Sequence, residues 1–370
     1  MNALIGQART SRTGSFRRGK TLAKRLVRRY RQRVEGTRPS VTILLPACNA
    51  VATLPACLRS VVRQTERHWR CVIVDDGSTD TTRECAREFA GRDDRFVVIS
   101  TPHQGLIAAL HTGLAQCAGD FVARMDADDL MHRDRLAAQT AALVAAPDLV
   151  AVGCHVRLFP RAHLRDGMRS YERWLNRIDS AARVRADAFI ECPVVHPSLL
   201  IRRPTLAAFG YRDQHWPEDY DLVLRLLAAG HEIGVVPRRL LSWRDGPSRR
   251  TRTHPSYRLE RITACKAAFL AQGFLAERDR FVLWGYGETG RTLCRALGEH
   301  GKRPSHVVEV HRGRLGNTIH GAPVIMPEEL SRLRGSRVIV SVAGERPREQ
   351  IRTALQTMGF RELRDFVCAA

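Results

Sequence analysis

From Pro39 onward, short apolar runs alternate with stretches whose apolar positions recur every three or four residues. VTILLP (41–46), CVIVDD (71–76), FVVIS (96–100) and FVARMD (121–126) have the length and β-branched content of strands. The intervening stretches at 53–65, 79–91 and 105–117 have helical spacing. Strands alternating with helices predict parallel βαβ units with right-handed crossovers, hence a doubly wound, mostly parallel α/β sheet. A helix over 134–146, a strand over LVAVGCHVRLF (149–159) and a charged, helical stretch at 161–192 continue the pattern. The segment HPSLLIRR (196–203) precedes PEDYDLVLRLLAAG (217–230), an amphipathic helix with an acidic start and a glycine end. The basic loop DGPSRRTRTHPSY (245–257) closes this module.

A second α/β unit begins near Arg280, where the strand RFVLW runs into Gly285-x-Gly287-x-x-Gly290 and then a helix. Glu309 ends the strand HVVEV, 19 residues past Gly290, the place of the carboxylate that binds a ribose hydroxyl in dinucleotide-binding folds. A glycine turn that only packs the helix closely is the competing reading. The predicted order is a basic, partly helical or disordered tail (1–38), a first domain (39–255), a helical linker (256–278) and a Rossmann-like accessory domain (279–370).

The tail changes the picture because charge is concentrated there. Twelve of its residues are Arg or Lys against Glu35 alone, which supplies half of the chain's net charge of +22. Leu22, Leu26, Tyr30 and Val34 form one apolar stripe among these cations. Such a segment can lie on an anionic membrane surface, each cation adding about 1 kcal/mol near the headgroups; a solvated tail is the other reading. Nucleic-acid binding is disfavoured, since no helix-turn-helix, zinc finger or aromatic RNA-binding motif accompanies the charge. No apolar run reaches the ~20 residues of a membrane span, and no secretory core is evident at the N-terminus. Together these predict a cytoplasmic protein with peripheral contact at the inner face of the plasma membrane. The ten cysteines show no paired spacing, which excludes a zinc knuckle and suggests reduced, buried thiols.

The most telling chemistry lies at 126–129, where an apolar strand runs into Asp126, Asp128 and Asp129. Adjacent carboxylates repel one another unless a hard divalent cation or basic groups compensate them. A helix cap made by Asp129 is the simpler alternative. Two other strands also end in polar residues, Asp75 and Asp76 among them, at the edge where open parallel sheets bind ligands.

The ordered set VTILLPACNA, CVIVDDGSTDTT, FVARMDADD and HWPEDYDLVLRLLAAG resembles the family 2 glycosyltransferases, which have a GT-A nucleotide-diphospho-sugar transferase fold. The resemblance covers roughly residues 39–260 and implies an inverting transfer of a sugar from a nucleotide-diphosphate donor. The acceptor it implies is a hydroxyl of a bacterial cell-surface glycan or glycolipid. It places the donor nucleotide at Pro46, Ala47, Asp75, Asp76 and Asp126, with Arg249 and Arg252 on the diphosphate. Asp128, with Asp126 and Asp129, is implied to hold Mg²⁺ or Mn²⁺. Glu218 and Asp219 match the family's acidic pair, with Asp219 at the position of the catalytic base. His196 and Trp243 fall on the acceptor side, although a buried, hydrogen-bonded core role explains His196 equally well. The accessory unit resembles small nucleotide-sugar-binding domains, which places its ligand at Gly285, Gly287, Gly290 and Glu309.

Two positions depart from the family pattern. Many relatives have an aromatic residue at Cys48, and many have a metal-holding His just after Trp243-Arg244, where this chain has Asp245-Gly246. A binding or regulatory protein that has lost transfer activity is the alternative reading; the intact DADD and ED motifs argue against it. If the tail is the membrane contact, deleting residues 1–38 releases the protein from anionic liposomes in a flotation assay, while turnover on a soluble acceptor is unchanged.

Overall fold

The computed structural model describes residues 39–247 and 249–370, so the basic tail lies outside the described residues. The described chain falls into two compact units. The first comprises residues up to Ala181, Val194–Arg212 and Arg225–Asp245, and the second Ala182–Pro193, Asp213–Leu224 and Gly246–Ala370.

The first unit is built on an eight-stranded sheet of β1 (Val41–Ala47), β2 (Trp69–Asp76), β3 (Phe96–Thr101), β4 (Phe121–Arg124), β5 (Leu130–Met131), β6 (Leu149–Phe159), β7 (Leu200–Arg202) and β8 (Glu232–Arg244). Its order is β3-β2-β1-β4-β7-β6-β8-β5. The strands β3, β2, β1 and β4 are mutually parallel, as the alternating pattern predicts. Every residue of β1 is buried, as expected for a central strand covered on both faces. Helix Leu106–Ala115 packs so closely on β1 and β2 that a Cβ on Gly113 would come within 2.2 Å of the Leu44 side chain.

The far half of the sheet is mixed rather than uniformly parallel: β7 runs antiparallel to β4 and β6, and β5 antiparallel to β8. Strand β8, 13 residues long, has no counterpart in the predicted elements. Its apolar alternation is broken by Pro237, Arg238 and Arg239, and its pairing with β6 shifts register there. The predicted strand 121–126 also ends early, at Arg124. Met125 still donates to the Leu44 carbonyl, after which the chain turns, with Asp129 N–H on the Asp126 carbonyl.

The second unit holds a six-stranded sheet of β9 (Arg280–Trp284), β10 (Arg303–Val308), β11 (Thr318–Ile319), β12 (Ala322–Ile325), β13 (Val338–Val340) and β14 (Phe366–Cys368). Its order is β11-β12-β10-β9-β13-β14, and all pairings but that of β11 are parallel. With the short β11 set aside, the sequence order of neighbours is the 3-2-1-4-5 of a doubly wound nucleotide-binding sheet. Helix Leu259–Gln272, which falls in the predicted linker, contributes Ala267 and Leu270 to the cluster around Phe281, Leu283 and Leu293. It is a core helix of this unit and not a free connection.

Residues 182–193 belong to the same unit through both packing and charge. Phe189 and Ile190 pack on the two core clusters of the sheet. Arg352, 4% exposed at its side chain, donates to Asp187 (2.5 Å), Glu349 (2.7 Å) and Glu362 (2.8 Å). Arg183 reaches Asp187 (3.0 Å) and Glu349 (2.7 Å). Removing one member of a buried charge network leaves its partners desolvated and unpaired. Arg352→Ala is therefore expected to destabilise the protein by about 3 kcal/mol in chemical denaturation, with residues 182–193 the first to lose hydrogen-exchange protection.

Candidate active site

The parallel pairing of β1 with β2 and β4 brings three strand ends to one edge of the sheet. Pro46 and Ala47 end β1, Asp75 and Asp76 end β2, and Asp126, Asp128 and Asp129 follow β4. The sequence pattern thus brings the predicted donor-side residues of this unit together.

Asp75 is fully buried and accepts from the Ser78 amide (3.2 Å) and the Arg83 guanidinium (2.9 Å). Burial acts to raise its pKa, but the hydrogen bonds from Ser78 and Arg83 outweigh it and hold the carboxyl below its ordinary value. Asp76 takes the Gln104 and Gly105 amides at 2.8 and 2.9 Å, at the start of helix Leu106–Ala115, and His103 Nδ1 lies 3.0 Å from it. The two carboxylates therefore shape the loops around them. Between them and the helix, Gly77 has a φ of +65°, and a Cβ there would stand 2.5 Å from the His103 backbone nitrogen. Asn49 ties the β1 loop to this one by accepting from Thr79 (2.8 Å), while its own amide donates to Ser78 Oγ (3.0 Å). Asn49, Arg83 and His103 carry no motif signal beyond position, and the sequence reading missed them.

The three aspartates after β4 place one carboxylate oxygen each within 4.8 Å of the others. Burial first, and then the neighbouring Asp126 carboxylate, raise the Asp128 carboxyl above its ordinary value. Arginines already share this ground. Arg124, 3% exposed, pairs with Asp126. Arg244 donates its Nε to the Asp128 carbonyl (2.8 Å) and its backbone N–H to Asp129 Oδ1 (2.7 Å). Asp129 thus pins the end of β8 and does not cap the next helix, whose N-cap residue is Asp134. Oxygen-only donors at this spacing suit a hard cation such as Mg²⁺ or Mn²⁺.

His196 and Trp243 are in the core of the first unit. His196, 4% exposed, bonds the Tyr211 hydroxyl at 3.0 Å, and burial, with Arg124 nearby, holds its imidazole well below the ordinary pKa and so neutral. Trp243 is 8% exposed and packs 6.2 Å from the Tyr171 ring. For His196 this is the setting of the buried, hydrogen-bonded core reading given beside the acceptor one.

In the second unit, Glu218 begins helix Glu218–Ala228 and accepts from the Tyr257 hydroxyl at 3.0 and 3.2 Å. Burial, then the charges of Asp219 and Glu218, push the Tyr257 phenol well above its ordinary pKa, so it remains a donor. Asp221 is fully buried and accepts from the Trp216 indole at 3.2 Å. Asp219 is the half-exposed member of the acidic set, with one oxygen on the Tyr220 amide at 2.8 Å. Arg252 folds back on the Gly246 carbonyl (3.2 Å), in a short turn with Arg249.

The glycines after β9 divide by role. Gly285, at a φ of +92°, and Gly290, whose Cβ would meet the Gly285 carbonyl oxygen at 2.4 Å, are there for tight turning and close helix packing. Gly287 precedes helix Glu288–Glu299 with open space around it. Glu309 lies just past β10, where Arg314 (2.9 Å) and the Val310 amide (3.0 Å) hold it.

The parallel-dominant α/β sheet of the first unit, with carboxylates gathered at the ends of β2 and β4, is that of a GT-A fold. Residues 42–208 match the model of glycosyl transferase family 2, so this segment is a domain of that family. Among curated relatives, the glycosyltransferase GlyA of Streptococcus pneumoniae is 34% identical over 113 residues, covering 30% of this chain but 16% of GlyA. The amylovoran biosynthesis glycosyltransferase AmsE of Erwinia amylovora is 29% identical over 209 residues, 56% of this chain and 76% of AmsE. The solved structure of S. aureus TarS 1–349 with UDP-GlcNAc superposes with a TM-score of 0.51 at 14% identity, over 86% of this chain and 80% of that one. No helix among the described residues is long and apolar enough to cross a membrane.

Proposed function

We propose that the chain transfers a sugar from a nucleotide-diphosphate donor to a hydroxyl of a growing cell-surface glycan or glycolipid, with inversion at the anomeric carbon. The observation that carries the reading is the Asp126, Asp128 and Asp129 cluster at the ligand-binding edge of the sheet, with Asp128 held above its ordinary pKa. Pro46 and Ala47 border the base, and Asp75, Asp76 and Asp126 line the nucleoside. The loops carrying Asp75 and Asp76 are fixed before the donor arrives, so less entropy is lost on binding. When bound at Asp128, with Asp126 and Asp129, a Mg²⁺ or Mn²⁺ ion supplies charge to the diphosphate leaving group. Arg249 and Arg252 add guanidinium contacts to the same phosphates.

Asp219 takes the proton of the attacking hydroxyl. It is favoured over Glu218 and Asp221 because both of those are buried, whereas Asp219 is partly exposed. Glu218 positions the start of the helix through Tyr257. A glycan acceptor is supported by AmsE, whose name assigns it to amylovoran biosynthesis. The protein works at the cytoplasmic face of the membrane, held there by its basic tail.

The second unit binds a nucleotide or nucleotide sugar at Gly285, Gly287, Gly290 and Glu309 without hydride chemistry. Support comes from its 3-2-1-4-5 strand order and from the open space at Gly287, next to a helix N-terminus that favours a phosphate.

Three outcomes test these assignments. Asp128→Ala should abolish transfer and the metal dependence of nucleoside-diphosphate binding measured by calorimetry; unchanged metal dependence would place the cation elsewhere. Asp219→Asn should keep donor affinity and lose about 10² to 10⁴ in kcat, the worth of a positioned base, and near-normal kcat would remove it from the mechanism. In the full chain, Gly287→Val fits the fold, so it should leave the circular dichroism unchanged while removing one of two nucleotide sites in a stoichiometry titration. A single site in the unsubstituted protein would make the glycines purely structural.

A further inference from the structure

The first unit contains a cavity of about 550 Å³, whose lining shares no residue with the proposed donor site. Its walls carry six arginines: Arg157, Arg161, Arg169, Arg173, Arg177 and Arg239. Arg169 and Arg173 lie one turn apart on helix Asp166–Leu175 and so share a face, Arg177 follows just past the helix end, and Arg161 comes from the short turn Arg161–His163. Arg239 of β8 is paired with His155 of β6, and Arg157, two residues along the same strand, points to the same side of the sheet.

The only carboxylate in the lining, Glu172, is buried and engaged by Arg161 and the Leu158 amide (3.4 Å). Asn176 is spent on the Val156 backbone, at 2.8 and 2.9 Å. Arg169 donates to the carbonyls of Leu164 (3.3 Å) and Arg161 (3.0 Å), and Arg173 to Ser170 Oγ (2.8 Å). None of these contacts neutralises a guanidinium except the one Glu172 makes. Arginine does not shed its proton at any physiological pH, so the mutual repulsion persists wherever the protein works. Like charges one turn apart on a helix already cost a few tenths of a kcal/mol. A concave surface lined by one sign of charge also focuses its field into the cavity.

We propose that this cavity is a binding site for a ligand carrying a diphosphate or two neighbouring phosphates. A cavity of this volume exceeds what one phosphate fills, and the planar fork of arginine matches phosphate oxygens two at a time. Guanidiniums from the helix and from both strands then grip the same anion, which replaces their repulsion with attraction. The site is independent of the donor reading, because its residues, its ligand contacts and its lack of any carboxylate cluster to hold a metal are all separate from the aspartates.

The test is calorimetry on the full chain in EDTA with no nucleotide present, which silences metal-assisted phosphate binding at the aspartates. The two probes are inorganic pyrophosphate and the lipid diphosphate geranyl diphosphate, below its micelle concentration. Each is titrated into the unsubstituted protein and into Arg157→Gln/Arg239→Gln, with Arg173→Gln as a second variant should the first lose its circular dichroism. Saturable binding of pyrophosphate, weakened at least about tenfold in the variant, identifies a soluble phosphorylated ligand. The same loss seen with geranyl diphosphate alone identifies a lipid-linked diphosphate. No saturable binding of either probe, or affinities equal in protein and variant, overturns the proposal.

Discussion

Negative charge at the end of β4 has to be matched from below, and much of the first unit is arranged around that requirement. Asp126, Asp128 and Asp129 stand over two deeply buried guanidiniums, Arg124 (3% exposed) and Arg135 (0%). Arg124 pairs with Asp126, while Arg135 donates to the carbonyls of Arg124 (2.9 Å) and Leu199 (3.4 Å) and to Gln139 (3.0 Å). Gln139 passes the chain on to the carbonyls of Val152 and Ser198. Burial depresses the Arg135 pKa, and the Asp129 carboxylate is among the charges that oppose this. Neither layer stands alone: without the aspartates two cations are desolvated, and without the arginines three carboxylates repel one another.

The same economy appears at β2. Asp75 and Asp76 use their oxygens to fix the loops at Ser78 and at Gln104–Gly105, so a ligand meets a preformed edge. At Asp75 the effect of burial is outweighed by hydrogen bonds from Ser78 and Arg83, so the carboxyl sits below its ordinary pKa, whereas at Asp128 burial and the Asp126 carboxylate outweigh Arg124 and Arg244 and hold it above.

The central strands and the acidic motifs were legible because each is local. An unbroken apolar run followed by carboxylates, as in CVIVDD and FVARMD, reports both the strand and the edge it ends on. Strand β8 was not legible, because Pro237 and two arginines interrupt its alternation and it forms only by pairing along the whole of β6. His196 and Trp243 are buried beside Tyr211 and Tyr171, contacts that motif position does not report. Arg244 and Tyr257 escaped notice because each matters through a partner distant along the chain, Asp129 and Glu218 respectively. Helix Leu259–Gln272 looked like a connection because its apolar face is small, Ala-rich and meaningful only against β9.

The discontinuity of the second unit bears on how the protein is made. Residues 182–193 and 213–224 leave the ribosome well before the strands and helices that bury them, since Asp187 finds Arg352 some 165 positions later and Tyr220 gives its hydroxyl to Ala188 within the same late-formed unit. Contacts of such sequence separation close slowly, because the loop entropy is lost before the contact repays it. The acidic segment around Asp219 is consequently among the last parts to settle during synthesis. A nascent chain can complete the parallel half of its first sheet, from β1 to β4, while the segment offering the proposed base is still without its packing partners.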